Sequence, residues 1–103
     1  MTERSAFVLR VRADRLDEYV RAHREVWPEM LAALKDAGIR NYTIFRAGDQ
    51  MFGYFESDDL EAAKVHLGAE EVSARWQEAM AELLEERVPD EGPPPLEEVF
   101  RLD

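Results

Sequence analysis

The apolar residues change their period between Ser5 and Trp27, and that change sets the first two elements of the fold. From Ser5 to Arg12, Phe7, Leu9 and Val11 alternate with Val8, Arg10 and Arg12, the period of a strand. Asp14 then offers a helix N-cap, and Leu16, Tyr19, Val20, His23, Val26 and Trp27 recur at helical spacings. Pro28 suits a first turn rather than a helix interior. The spacing therefore predicts a break near Trp27 and a second helical piece carrying Met30, Leu31 and Leu34. Gly38, after Lys35-Asp36-Ala37, reads as the residue that ends it.

The rest of the chain continues the alternation. Residues 40–46 hold the strand formers Tyr42, Thr43, Ile44 and Phe45, and residues 51–56 form a third strand after the tight connection Ala47-Gly48-Asp49. Ser57-Asp58-Asp59 caps a helix expected over residues 60–66, which Gly68 interrupts. A further helix is expected over roughly 70–87, with Val72, Trp76, Met80, Leu83 and Leu84 on one face. Pro89, Gly92 and the run Pro93-Pro94-Pro95 make an extended connector, and residues 96–102 return as a last strand around Val99 and Phe100. The order strand, helix, strand, strand, helix, strand is the ferredoxin-like βαββαβ pattern, an α+β fold with helices on one face of an antiparallel sheet. The other face keeps apolar residues that a second copy would cover, so a twofold dimer is expected.

Length and composition narrow the classes of function. The 103 residues fit one domain, 1–103, and 46% of them are hydrophobic, enough for a core. Thirteen Lys and Arg against 23 Asp and Glu give a net charge of −10, with the basic residues scattered singly. Such a chain repels phosphate backbones, so a nucleic-acid partner is not expected. There is no cysteine, which removes disulfides, thiolate ligands and thiol nucleophiles. No apolar signal core follows Met1-Thr2-Glu3-Arg4 and no apolar run could span a bilayer, so the expectation is a cytoplasmic protein with no membrane partner.

Few residues are left to carry chemistry. His23 sits four residues from both Tyr19 and Trp27, a helix face of phenol, imidazole and indole that could hold a ring-shaped ligand or simply be core. His66 closes a short helix, where a cation suits the dipole, and two distant histidines do not make a metal site. Tyr42 shares a strand face with Ile44, and its hydroxyl needs a partner if buried. Trp76 is equally a core indole or a flat platform for a sugar. Glu29 fits the first turn of its helix, whereas Glu56 and Glu98 fall in expected strands and are less easily explained.

Taken together, Ala6-Phe7-Val8, Glu18-Tyr19, His23, Trp27-Pro28-Glu29, Gly38, Asn41-Tyr42, Arg75-Trp76 and Glu97-Glu98-Val99-Phe100 resemble the L-rhamnose mutarotase family across essentially the whole chain. The resemblance implies a ferredoxin-like dimer, a dimeric α/β barrel, that interconverts the α and β anomers of a free aldose, chiefly L-rhamnose. It implies His23 as proton donor, Tyr19 and Tyr42 as sugar-binding tyrosines and Trp76 as the sugar-binding tryptophan. Gln77 stands where members can carry a second tryptophan. An amide there can hydrogen-bond a hydroxyl but not stack on a C–H face, which keeps related deoxy sugars such as L-fucose in view.

Anomer exchange needs the ring to open and reclose, which is proton transfer alone, so no cofactor or metal is expected. Histidine suits this work because its ordinary pKa, about 6.5, lies near neutrality. On this reading His23 gives a proton to the ring oxygen and recovers it on closure, while a tyrosine, a carboxylate or water relays the O1 proton. Two other readings fit the fold pattern: a cofactor-free monooxygenase of the antibiotic-biosynthesis type, and a non-catalytic dimeric binding protein in which Tyr19, His23 and Trp27 are core.

Overall fold

A computed structural model describes residues 2–89 and 92–102. Its elements run β1 (Glu3–Arg10), a 3-10 turn (Ala13–Arg15), α1 (Leu16–Arg24), α2 (Pro28–Asp36), β2 (Arg40–Ala47), β3 (Gln50–Ser57), α3 (Leu60–Gly68) and α4 (Glu71–Ala81). The strands form one antiparallel sheet in the order β1-β3-β2. β3 is central because its apolar residues are wanted on both faces. Met51 and Gly53 face the helices, and Phe52 faces away, level with Val8 on β1 and Phe45 on β2.

The helical interruptions fall where the sequence placed them. Pro28 opens α2 as its first residue and Trp27 before it is extended, with φ −56° and ψ 134°. Gly38 has φ +87°, the left-handed conformation that ends α2 and that a β-carbon would penalise. Asp59 caps α3, its carboxylate accepting from the Ala62 amide at 3.0 Å.

Three expectations are corrected. Asp14 does not cap α1: it lies inside the 3-10 turn, and Arg15 precedes the helix with no side-chain cap. α4 stops at Ala81 rather than near 87, because the backbone beyond it is claimed by the sheet. The Leu83 carbonyl accepts from the Arg12 amide, the Glu85 amide donates to Arg10, and Val11 bridges Leu84. The expected fourth strand over 96–102 is not a strand among the described residues; it is an extended tail beside β1. One backbone hydrogen bond, Leu96 amide to Ala6 carbonyl at 2.8 Å, and the Arg4–Glu98 ion pair at 2.6 Å tie it there. The prolines before it have no N–H to donate, so a ladder cannot start earlier. The sheet of a single chain therefore has three strands in place of the four of βαββαβ.

The core has two parts. Between sheet and helices lie Val11, Tyr19, Met51 and Leu83, flanked by Leu16, Val20, Ile44 and Met80. Met51 is 2% exposed, a burial worth about 1.5–3 kcal/mol relative to leaving such a side chain in water. Between α2 and α4 lie Met30, Ala33, Val72 and Trp76, with Val26, Trp27 and Leu34 against them. The outer sheet face has no such cover: Phe45 is 66% exposed, and the tail residues Val99, Phe100 and Leu102 are exposed as well. Among the described residues no helix is long and apolar enough to cross a membrane.

Candidate functional site

The two core regions meet at His23, near the C-terminal end of α1. Its ring stacks on Tyr19, one turn earlier, with centroids 4.2 Å apart and planes at 29°. Its other neighbour is Trp76 of α4, edge-on at 5.3 Å and 78°. The backbone supplies the orientation: His23 Nδ1 lies 2.9 Å from the Tyr19 carbonyl oxygen, which can only accept. Nδ1 therefore carries the hydrogen, and in the neutral ring Nε2 is bare. Burial lowers the His23 pKa from its ordinary 6.5, opposed in part by this hydrogen bond. The resting residue at neutral pH is then an imidazole with an open acceptor.

Trp76 is 8% exposed and is braced from its far side by Trp27, edge-on at 5.1 Å and 88°. The sequence put Tyr19, His23 and Trp27 along one helix face. α1 ends at Arg24, however, and Trp27 reaches the site through Trp76 instead. Arg75 lies over the Trp27 ring at 5.9 Å and pairs with Glu29 at 3.2 Å, joining α4 to the start of α2. That gives Glu29 an ordinary structural place.

Tyr42 enters from the sheet. Its ring packs against Phe55 at 5.4 Å and edge-on to Phe7 at 6.4 Å. Phe7 can sit there only because Gly53 faces it: a β-carbon on Gly53 would lie 2.2 Å from the ring. Although 41% of Tyr42 is exposed, its hydroxyl end is crowded, and burial drives its pKa upward with the Tyr19 phenol adding to the rise. Burial likewise pushes Tyr19 up to about 12. Both phenols thus stay protonated and able to donate at neutral pH.

Among the described residues, the hydroxyls of Tyr19 and Tyr42, the Trp76 indole N–H and His23 Nε2 have no hydrogen-bond partner in the protein. Aromatic faces with unused polar tips suit a small polyhydroxylated ring. The structure thus brings Tyr19, His23 and Trp76 into one cluster, while Tyr42 packs on Phe7 and Phe55 of the sheet, near enough to Tyr19 for the two phenols to interact electrostatically. Gln77 is exposed on α4, one position past Trp76, outside the aromatic contacts. His66 is elsewhere, paired with Glu70 at 3.4 Å at the end of α3. Glu98 pairs with Arg4, and Glu56 is engaged on the outer sheet face. Of the supporting residues, Phe7 belongs to the strand that carries part of the family resemblance, whereas Gly53 and Phe55 carried no sequence signal beyond their place in an expected strand. A surface cleft between α2 and α4, lined by Glu29, Asp36, Glu70, Glu71 and Arg75, does not take in His23. Among the described residues no group of three or more His, Asp or Glu is arranged to hold a metal.

Comparison with known proteins points the same way. The family model described as L-rhamnose mutarotase matches residues 4–102. An L-rhamnose mutarotase of Oceanobacillus iheyensis is 35% identical, the match covering 98% of this chain and 99% of the relative. Another from Pectobacterium carotovorum is 38% identical over 97% of this chain and 98% of its own length. The crystal structure of an L-rhamnose mutarotase from Formosa agariphila superimposes with a TM-score of 0.80 at 30% identity, covering 98% of this chain and 99% of that one.

Proposed function

Because the chain belongs to the L-rhamnose mutarotase family and is a carbohydrate isomerase, we propose that it exchanges the α and β anomers of free L-rhamnose at the aromatic site around His23. The Nδ1 hydrogen bond to the Tyr19 carbonyl carries the mechanistic reading, because it leaves Nε2 bare in the resting state. His23 then acts first as a base. Nε2 takes the proton from O1, the C1–O1 double bond forms, and the C1–O5 bond breaks. The same proton passes from Nε2 to O5, which is within reach because both oxygens were bonded to C1. After rotation about C1–C2 the steps run in reverse and close the ring on the other face. The Tyr19 carbonyl stabilises the transient imidazolium through Nδ1–H.

This order revises the one expected from sequence, in which His23 donated first and a second group handled O1. One histidine suffices, and the reaction calls for no cofactor. Tyr19 and Tyr42 hydrogen-bond the sugar hydroxyls, Trp76 covers an apolar C–H face, and Gln77 offers a hydroxyl contact from the rim. The cofactor-free oxygenase and the non-catalytic binding protein have no observation in their favour.

The pH profile tests the order of proton transfer. A base must be unprotonated in the free enzyme, so kcat/KM, measured by saturation-transfer NMR of anomer exchange, should rise with pH through a value below 6.5 and then level off. A profile that falls with rising pH over that range would assign His23 the acid role first.

The proposed assembly is a homodimer that covers the outer sheet face. Val8, Phe52 and Phe45 form a cross-strand row there, and the exposed tail residues Val99, Phe100 and Leu102 add further apolar surface. Phe45→Glu should shift sedimentation velocity from dimer to monomer. An unchanged dimer would place the interface elsewhere.

A further inference from the structure

One polar arrangement lies on the opposite face of the sheet from the site and has no part in the chemistry above. Asn41 has φ +51° and is the one non-glycine residue with positive φ among the described residues. It sits at a register shift in β2: Arg40 opposes Glu56 and Thr43 opposes Tyr54, so Asn41 and Tyr42 together oppose Phe55. This is a bulge, with its first residue in the left-handed region that glycine or asparagine tolerates.

The bulge solves a parity conflict in the sequence. Ile39 is 8% exposed and Ile44 packs on the helix-side core, yet the two are an odd number of positions apart. Strict alternation would send one of them to the outer face. The extra residue lets both face inward and sets Tyr42, immediately after it, against Phe55 and Phe7. One bond holds the bulge from the outer side, and a second, within β3, fixes the carboxylate that accepts it. The Asn41 amide donates to one Glu56 oxygen at 2.7 Å, and the Tyr54 hydroxyl donates to the other at 2.6 Å.

We propose that Asn41 and Glu56 are positioning residues for the sugar: their hydrogen bond locks the bulge that aims the Tyr42 hydroxyl into the site. The inference rests on the reading of Tyr42 as a sugar contact. Neither Asn41 nor Glu56 touches the substrate, and both act through the backbone that carries Tyr42.

The test is a mutant cycle read by anomer-exchange NMR over a range of L-rhamnose concentrations, on variants whose thermal unfolding lies well above the assay temperature. Glu56→Ala and Asn41→Ala should each raise KM by roughly tenfold, with a smaller change in kcat, because a displaced contact weakens binding in ground and transition states alike. Glu56→Gln keeps an oxygen for the Asn41 amide and should restore KM. In a Tyr42→Ala background Glu56→Ala should add nothing further, which a general loss of stability would not reproduce. If Tyr42→Ala raises KM but Glu56→Ala does not, or if the two effects simply multiply, the positioning role is overturned while the sugar contact stands. If Tyr42→Ala leaves KM unchanged, the sugar contact itself fails and the positioning role falls with it.

Discussion

The two faces of the sheet carry similar residues in opposite states. The inner face holds Phe7, Phe55 and Tyr42, packed on one another. The outer face holds Phe45, Phe52 and Tyr54. On the outer face the tyrosine is engaged: Tyr54 donates to Glu56, and together with the Asn41 amide it holds that carboxyl below the usual carboxylate range. On the inner face the Tyr42 hydroxyl has no protein partner among the described residues. A polar tip left unpaired in a crowded place is costly unless water or a ligand meets it. The difference teaches where to look for the site: both faces are aromatic, but only one keeps unused hydrogen-bonding capacity beside a histidine.

The largest expected effect comes from removing the inner histidine. His23→Ala should slow anomer exchange by about 10²–10⁴-fold, the range for a positioned proton-transfer group. Near-UV circular dichroism would show that the variant is folded, and undiminished exchange would move the chemistry away from α1.

Next is the glycine that admits Phe7. Gly53→Ala places a methyl 2.2 Å from the Phe7 ring, which is itself only 7% exposed, so the ring must shift within a packed core. The cost should be about 1–3 kcal/mol by urea unfolding, typical of overpacking. Unchanged stability would mean that the floor under Tyr42 is looser than its contacts imply.

The smallest effects sharpen the contrast between faces. Tyr42→Phe keeps the ring and removes one hydroxyl, and should lower kcat/KM by roughly tenfold, the worth of one hydrogen bond to substrate. Tyr54→Phe on the outer face should cost less, since Asn41 still holds Glu56. Equal losses at the two positions would erase the distinction between a binding and a bracing tyrosine.

Much of the fold was legible in the sequence because its signals are local. The strand period of β1, the Pro28 break, the left-handed Gly38 and the Asp59 cap are each set by a few neighbouring residues. Elements whose backbone partners are distant were misread. Residues 82–87 continue a helical pattern, yet Leu83, 2% exposed, and Glu85 bond to the end of β1 instead. Residues 96–102 alternate like a strand, but a ladder needs a partner edge, and one bond to Ala6 does not make one.

The site divides in the same way. Residue type and helical spacing placed His23 one turn from Tyr19 but left that face open between a ligand site and plain core, and the family resemblance gave His23, Tyr19, Tyr42 and Trp76 their expected roles. Spacing could not say that His23 Nδ1 is tied to a backbone carbonyl, or that α4 delivers Trp76 to the imidazole edge. Nor could it show that a bulge at Asn41 reconciles Ile39 with Ile44 and aims Tyr42 inward. The sequence determines which groups can transfer a proton or meet a sugar, because that is a property of each side chain. Which nitrogen is bare and which hydroxyl is left without a partner depends on groups brought together from distant parts of the chain, and only the tertiary structure decides that.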